Sequence, residues 1–483
     1  MAAAGGAMRL EDIPGKKISV IGARRSGIAA ARQLSQIGAL VTLSDASVVP
    51  AFGSATNHLS EAENLNLIVT SDPEVAVSDD TSLIVPSPGV PRDSPTLIRG
   101  QNLGIPIWSE IELAERFRIS PMAAVTGTNG KTTTTILLVF MLLEAGIEAI
   151  PCGNVSADEI KCTLLDAALS AKETDPQPIL VAEISSFQLE WVDQFAPDVA
   201  ILTNITPDHM NRYASFEDYC ATKSRIFAAQ KSEQWAVIGL DNEASRRIGE
   251  AGVPSRLLWF SNEAELPEGL YGGHVRDNIL TVVLPGKEPV SLFPVSLLPP
   301  SLPGTHSIQN VLAASLAAIL LGADAVSIQR AVTQFKGVPH RMEIIREMQG
   351  VRFINNSMCT NAAAAVSSLQ GLDRPAVVIM GGAGKNLDYL PIASVLKEKA
   401  KYTILIGQVA DEMESCFNDA GYSQTRRADS LSTAVSMAWE LASRGDCVIL
   451  CPASASFDMF RDFEARGEAF RDAVRSLEEV QKR

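Results

Sequence analysis

Ala124-Val125-Thr126-Gly127-Thr128-Asn129-Gly130-Lys131-Thr132-Thr133 follows a β-rich run from Met122 and opens onto an apolar stretch that ends at Glu144. Strand, glycine loop, Lys-Thr and helix in this order are the parts of a phosphate loop. Glycines let the backbone approach phosphate oxygens, and successive N–H groups and the helix dipole favour the anion. Lys131 can then meet the terminal phosphates and Thr132 can reach Mg²⁺. The general pattern wants glycine at position 125, where this chain has valine. Gly127, Thr128, Asn129, Gly130, Lys131, Thr132 and Thr133 are thus the candidate nucleotide-binding residues. A glycine turn without a ligand is the alternative, and it leaves the joint occurrence of the four parts unexplained.

Around this loop the chain alternates between strand and helix patterns. Lys17 to Gly22, a helical stretch from Ile28 to Ile37 and Leu40 to Asp45 form a βαβ opening, with further strands at Leu67 to Val69 and Ser82 to Val85. The central part adds strands at Met122 to Thr126, Ile179 to Glu183, Val199 to Asn204 and Trp235 to Gly239. Gly272 to Leu302 reads as antiparallel hairpin or loop material, and a helix is predicted from Ser307 to Gly322. A third alternation has strands near Val351 to Asn355, Ala376 to Met380, Tyr402 to Ile406 and Cys447 to Cys451. The expected fold is therefore α/β in three domains: a Rossmann-like unit over 1–114, a P-loop ATPase-like unit over 115–336 and a second Rossmann-like unit over 337–483. The 483 residues fit that count at about 150 per domain.

The composition, 46% apolar and 20% charged, is that of a soluble globular chain. A net charge of −15 repels nucleic acid and anionic membranes at long range, so any phosphate binding must be local. The seven cysteines are scattered without a C-x-x-C pair, which fits reduced thiols in the cytoplasm. No apolar run reaches the roughly 18 to 20 residues of a membrane span. Met1 to Met8 lacks the basic start of a signal peptide, and Met8 is a possible initiator.

Three more clusters bear on the chemistry. Glu183-Ile184-Ser185-Ser186-Phe187-Gln188-Leu189-Glu190 leaves a buried strand beside the loop, where nucleotide-hydrolysing folds hold magnesium. Glu183 could equally be a helix-cap carboxylate. Asn204-Ile205-Thr206-Pro207-Asp208-His209 follows another strand, and His209 can offer nitrogen to a metal, although a lone histidine is more often structural. Lys223, one helix later, reads by itself as a surface charge.

Taken together, G-T-N-G-K-T, E-I-S-S-F-Q-L-E, N-I-T-P-D-H and T-K-S-R-I resemble the Mur ligase family, and the E-x-S-S-F-Q-L-E spelling resembles its D-glutamate-adding branch. Gly304-Thr305-His306 with Asn310, Pro339-His340-Arg341-Met342-Glu343 and Ser454-Ala455-Ser456-Phe457-Asp458 extend the likeness over most of the chain. The resemblance implies ATP, UDP-N-acetylmuramoyl-L-alanine and D-glutamate as substrates of a monomeric enzyme with two Mg²⁺ ions. It implies that Lys131, Glu183, His209 and Lys223 are catalytic. Thr132, Glu183, His209 and a carbamylated Lys223 would hold metal, the carbamate supplying oxygens where an ammonium would repel Mg²⁺. Asn310, Arg341 and Asn356 would face ATP, with His340 nearby.

For the UDP substrate the same resemblance implies Arg24, Arg25, Ser26, Asp45, Ser47, Ser87, Gly89, Asn154 and Ser185. The first loop, Gly22-Ala23-Arg24-Arg25-Ser26-Gly27, is a dinucleotide fingerprint with Arg24 at its second glycine, which disfavours NAD and an oxidoreductase. Thr360, Lys385, Ser456, Phe457 and Phe463 would hold the amino acid.

This chain departs from the family's N-D-S-K-A-T-N at Asn355-Asn356-Ser357-Met358-Cys359-Thr360-Asn361. Asn356 brings no charge to the ribose, and Met358 removes a cation beside the incoming dicarboxylate, worth about 1.5 to 3 kcal/mol. Ala383 and Ser307 also differ from the usual aspartate and asparagine. Two rivals follow: a related ligase for L-glutamate or a neutral amino acid, and a nucleotide-binding regulatory protein that has lost ligation.

Overall fold

β1 (Lys17–Ile21), β2 (Leu40–Asp45), β3 (Leu65–Val69) and β4 (Leu83–Pro86) form a parallel sheet in the order β3-β2-β1-β4. They open a computed structural model that describes residues 10–45, 65–155, 162–384 and 388–477. The helix Arg25–Gln36 crosses from β1 to β2 and buries Ala29, Ala30, Ala31 and Leu34. Its small side chains let it lie close to the sheet. At the turn a Cβ on Gly27 would stand 1.9 Å from the Gly22 carbonyl oxygen, so only glycine fits there.

The central sheet contains β5 (Met122–Thr126), β6 (Ala149–Gly153), β7 (Ile179–Glu183), β8 (Val199–Leu202) and β9 (Trp235–Gly239). It continues through β10 (Arg256–Ser261), β11 (Gly272–Arg276), β12 (Ile279–Val283) and β13 (Val290–Pro294). The order is β13-β12-β11-β10-β9-β8-β5-β7-β6, parallel from β6 to β11. The predicted hairpin region supplies the antiparallel β12 and β13. Asp277 and Asn278, both at positive φ, make a two-residue turn whose twist suits a hairpin. Every residue of β5 is buried. The helices Lys131–Glu144 and Thr305–Leu320 cover one face of the sheet with Leu137, Leu138, Met141, Val311, Leu312 and Leu316.

The third sheet holds β14 (Glu343–Met348), β15 (Val351–Asn355), β16 (Ala376–Gly381), β17 (Ala400–Ile406), β18 (Thr425–Arg427) and β19 (Cys447–Leu450), in the order β14-β15-β19-β16-β17-β18. Only β14 runs antiparallel to its neighbour. Separate apolar layers cover its two faces, one around Leu369, Ile392 and Phe417 and the other around Phe353, Val435 and Phe470.

The first and central sheets share one core through the helix Glu110–Phe117, whose Ile111 and Ala114 join Leu34 on one side to Leu165 and Phe195 on the other. Glu112 is fully buried on that helix, accepts the backbone N–H groups of Asp193, Gln194 and Phe195, and pairs with Arg116. A buried carboxylate held this way is satisfied, and its loss would leave those donors unpaired. Among the described residues no helix is long and apolar enough to cross a membrane.

Four strands escape the sequence patterns: β6, β10, β14 and β18. The strand expected over Val199 to Asn204 ends at Leu202, because Thr203 and Asn204 turn to serve the phosphate loop.

Candidate active site

The loop after β5 is braced from β8. Thr203 Oγ1 donates to the Asn129 carbonyl at 2.6 Å, Asn204 Oδ1 accepts Asn129 N–H at 3.0 Å, and the Asn204 carbonyl accepts Thr128 N–H at 2.8 Å. Gly127 and Gly130 lie at φ +146° and +86°, and a Cβ would meet Thr203 Oγ1 at 1.9 Å and Asn310 Oδ1 at 2.3 Å respectively. The loop therefore needs both glycines, for conformation and for space.

Lys131 and Thr132 open the helix that follows. Lys131 Nζ donates to the Thr128 carbonyl at 2.9 Å, and burial, with Arg341 nearby, lowers its pKa against the raising effect of Glu183. Thr132 Oγ1 donates to Glu183 Oε2 at 2.6 Å, and Asn154 Nδ2 donates to Glu183 Oε1 at 3.2 Å. Glu183 ends β7 and is only 3% exposed. Hydroxyl, carboxylate and cation thus converge at the carboxyl ends of parallel strands, where open α/β sheets bind ligands.

A cleft of about 280 Å³ joins this point to the third sheet. Thr128, Asn129, Gly130, Lys131, Thr132 and Thr133 line it, as do Asn154, Glu183, His209 and Asn310. From the far side come Arg341, Asn356, Thr360 and Phe463. His209 adopts φ +56° and its ring packs on Phe187 at 4.8 Å between centroids. Asn310 Oδ1 accepts the Thr134 hydroxyl at 3.4 Å. Asn356 is buried with its amide engaged: Oδ1 accepts Met342 N–H at 3.2 Å, and Nδ2 donates to Ser368 Oγ at 3.0 Å.

Gly127 and Lys223 stand behind the cleft wall. Lys223 is 2% exposed, donates from Nζ to the Gly127 carbonyl at 2.8 Å and lies 4.8 Å from the Tyr219 ring centre. Its reading as a surface charge is corrected by that burial. Desolvation first, and then the Lys131 ammonium, hold its pKa well below that of an ordinary lysine.

Of the described residues expected to meet the UDP substrate, Asn154 lines this cleft and the others do not. Arg24 is exposed at the start of its helix, Ser26 sits in the first turn, and Arg25 Nη2 donates to the Gly153 carbonyl at 2.5 Å, tying the first sheet to the central one. Asp45 Oδ2 accepts Ala23 N–H at 2.8 Å and Ser87 Oγ donates to the Gly22 carbonyl at 2.7 Å, so both shape the first loop. Gly89 is exposed, and Ser185 caps a short helix in a capping box with Gln188. Ser47 and Lys385 lie outside the described residues. Ser456 is buried and Phe457 is 74% exposed, and neither lines the cleft. His340, expected near ATP, is instead buried against Asn355, whose Nδ2 stands 2.9 Å from His340 Nδ1.

Sequence reasoning gave no role to His306, which lines the cleft with its pKa pushed down to about 4 by burial and by Arg341. It is a neutral imidazole at pH 7. Its only signal was its place in Gly304-Thr305-His306. Ser307, also on the cleft, donates to the Pro303 carbonyl at 2.7 Å.

A family model described as the Mur ligase middle domain matches residues 125–318, and one described as the Mur ligase glutamate ligase domain matches residues 340–454. The chain is 38% identical over 468 residues to a UDP-N-acetylmuramoylalanine–D-glutamate ligase of Pelotomaculum thermopropionicum, covering 97% of this chain and 99% of that one. A protein of the same description from Geotalea daltonii is 38% identical, with 96% and 98% covered. Among solved structures, a UDP-N-acetylmuramate-alanine ligase of Thermotoga maritima has the same fold, with a TM-score of 0.58 at 18% identity, covering 95% of this chain and 99% of that one.

Proposed function

The chain belongs to the Mur ligase family, and from that premise we propose that it joins D-glutamate to UDP-N-acetylmuramoyl-L-alanine while converting ATP to ADP and phosphate. The observation that carries the reading is the Thr132–Glu183 contact beside Lys131, on a cleft whose opposite wall is the third sheet. Nearly full-length likeness to D-glutamate ligases supports the amino acid. In this division of labour 1–114 holds the UDP part, 115–336 holds ATP and 337–483 presents the amino acid.

The alanyl carboxylate attacks the γ-phosphorus, the bond to ADP breaks, and an acyl phosphate forms. The D-glutamate amine then adds to the acyl carbon, and phosphate leaves from the tetrahedral intermediate. Lys131, the loop N–H groups and Arg341 are the donors set against the negative charge that gathers in each step. Neutral His306 can accept or donate one hydrogen bond there without adding charge. A wall built from both sheets would keep water from the acyl phosphate. Thr360 and Phe463 are the described cleft residues on the amino-acid side, and Ser456 would need the third unit to close further.

The donor set fits magnesium: the Glu183 carboxylate and Thr132 hydroxyl are hard oxygens, and His209 shares the wall. Among the described residues no cluster of three or more His, Cys, Asp or Glu occurs, which suits an ion held largely by phosphates and water. Bound there, Mg²⁺ would neutralise charge on the transferring phosphoryl group. Lys223 as an ammonium opposes a cation; as the neutral amine its burial favours, it can add CO₂ and become a carbamate. Two ions, the carbamate, the monomeric state and a cytoplasmic site belong to this reading.

The test is ADP release by the purified chain with Mg²⁺, ATP and UDP-N-acetylmuramoyl-L-alanine. D-Glutamate should support turnover and L-glutamate or neutral amino acids should not. Turnover with another amino acid alone overturns the specificity, and none with any overturns the reaction.

A further inference from the structure

Cys359 and Cys451, 92 positions apart, meet at the floor of the cleft with their sulfurs 3.7 Å apart. Cys451 follows the last residue of β19, and Cys359 sits in the loop after β15. Cys359 lines the cleft, whereas Cys451 is fully buried behind it. The pair is asymmetric. Cys359 is itself only 3% exposed; the Cys451 S–H donated to it, against the raising effect of that burial, and then the Ala453 N–H and the charges of Arg466 and Arg341 lower its pKa. The same shared proton, with burial, pushes Cys451 well above the ordinary thiol range. Cys359, the sulfur on the cleft, is the one that a small oxidant in the cleft can reach first, with Cys451 in contact behind it.

A disulfide needs sulfurs about 2.0 Å apart, so the pair must close by roughly 1.7 Å from its present contact. We propose that Cys359 and Cys451 are a peroxide-reactive dithiol whose oxidation to a disulfide alters the cleft wall and slows the ligase reaction. The Cys359 sulfur attacks one peroxide oxygen, the O–O bond breaks, and the departing hydroxide takes a proton to leave as water. Cys359 is then a sulfenic acid. The Cys451 sulfur attacks the Cys359 sulfur, the S–O bond breaks, and the second water leaves with the Cys451 proton. Two thiols lose one electron each and one peroxide becomes two waters.

The geometry links this chemistry to the site. Cys359 lies between Met358 and Thr360, both on the cleft wall. Cys451 accepts a hydrogen bond from Asn356 Nδ2 at 3.8 Å, and Asn356 Oδ1 holds Met342 N–H. A disulfide would take the Cys451 sulfur from its contact with Asn356 and set the new bond into the wall that Met358 and Thr360 form. A thiol pair on a nucleotide cleft so coupled is a sensor and not a structural staple.

The experiment exposes the full-length reduced protein to hydrogen peroxide and reads it by peptide mass and by ADP formation. Expected are a cross-linked peptide pair containing Cys359 and Cys451, two hydrogens lighter than the free peptides, and a rate loss of about tenfold or more that dithiothreitol reverses. In C451S the sulfenic acid on Cys359 should accumulate and be captured by dimedone. In C359A peroxide should no longer slow the enzyme relative to its own untreated rate. Absence of the cross-link in the wild type, dimedone on other cysteines instead of Cys359, or equal peroxide sensitivity in C359A would each overturn the proposal. The mass readout holds whatever amino acid the ligase uses.

Discussion

The Nζ of Lys223 stands 2.8 Å from the carbonyl oxygen of Gly127, so a buried lysine is anchored to the underside of the phosphate loop. Its depressed pKa raises the neutral share of the amine above that of an ordinary lysine, and a neutral amine is what adds CO₂. Lys223→Ala should lower kcat by about 100-fold or more, the scale of losing one anionic metal ligand. Assays in CO₂-depleted buffer should slow the wild type and recover with bicarbonate. Full activity in both experiments would contradict the carbamate.

Thr132 and Glu183 share one short hydrogen bond, and removing either should read as a magnesium defect before a stability defect. Thr132→Val should raise the Mg²⁺ concentration for half-activation several-fold. Glu183→Gln, which keeps shape but removes charge, should cost about 100-fold in kcat. Equal Mg²⁺ curves for wild type and both variants would remove these residues from the metal site.

Glu110 is buried at the junction of the first and central sheets, where its Oε1 accepts Leu165 N–H at 2.7 Å. Burial, with Asp166 nearby, pushes its pKa up to about 7. Between about pH 4.5 and 7 the folded state then holds a proton that the unfolded chain has lost, so stability falls as pH rises through that window. The change is on the order of 3 kcal/mol. Glu110→Gln should flatten this part of the profile in urea denaturation at pH 5 and pH 8. An unchanged slope in the variant would assign the pH dependence elsewhere.

The parts that sequence reveals are those where local pattern and tertiary role coincide. The Lys131 loop is one, because strand, glycines and helix are contiguous and each is needed where it stands. β6 is not, since Pro151 argues against a strand and is tolerated only because β6 is an edge. β14, Glu343–Met348, carries charges at both faces because it too is an edge strand, half-buried along much of its length. Lys223 looks like a surface lysine because burial is a property of the packed sheet and not of its neighbours in sequence. Cys359 and Cys451 have no periodic relation, and only the parallel pairing around β19 brings them together. Ser185 shows the reverse: its motif suggests a ligand, and its hydroxyl serves a capping box.

Met358 is the sharpest departure from the family pattern, and the structure places a cation against it. Arg341 Nη1 lies 3.8 Å from Met358 Sδ, with its pKa lowered by burial. If this wall receives D-glutamate, Arg341 already supplies positive field where a lysine is absent, but it is shared with Lys131 and the phosphates. Met358→Lys adds a second cation, which gains a charge-assisted contact of about 1.5 to 3 kcal/mol with a carboxylate and loses part of it to repulsion from Arg341. The net expectation is a KM for D-glutamate lower by about tenfold, with kcat and the KM for ATP changed less than about threefold. Met358→Leu, which keeps volume without charge, should leave all three within about twofold. A rise in the D-glutamate KM of Met358→Lys would mean that repulsion from Arg341 wins, and that the amino acid is held by cations on another wall.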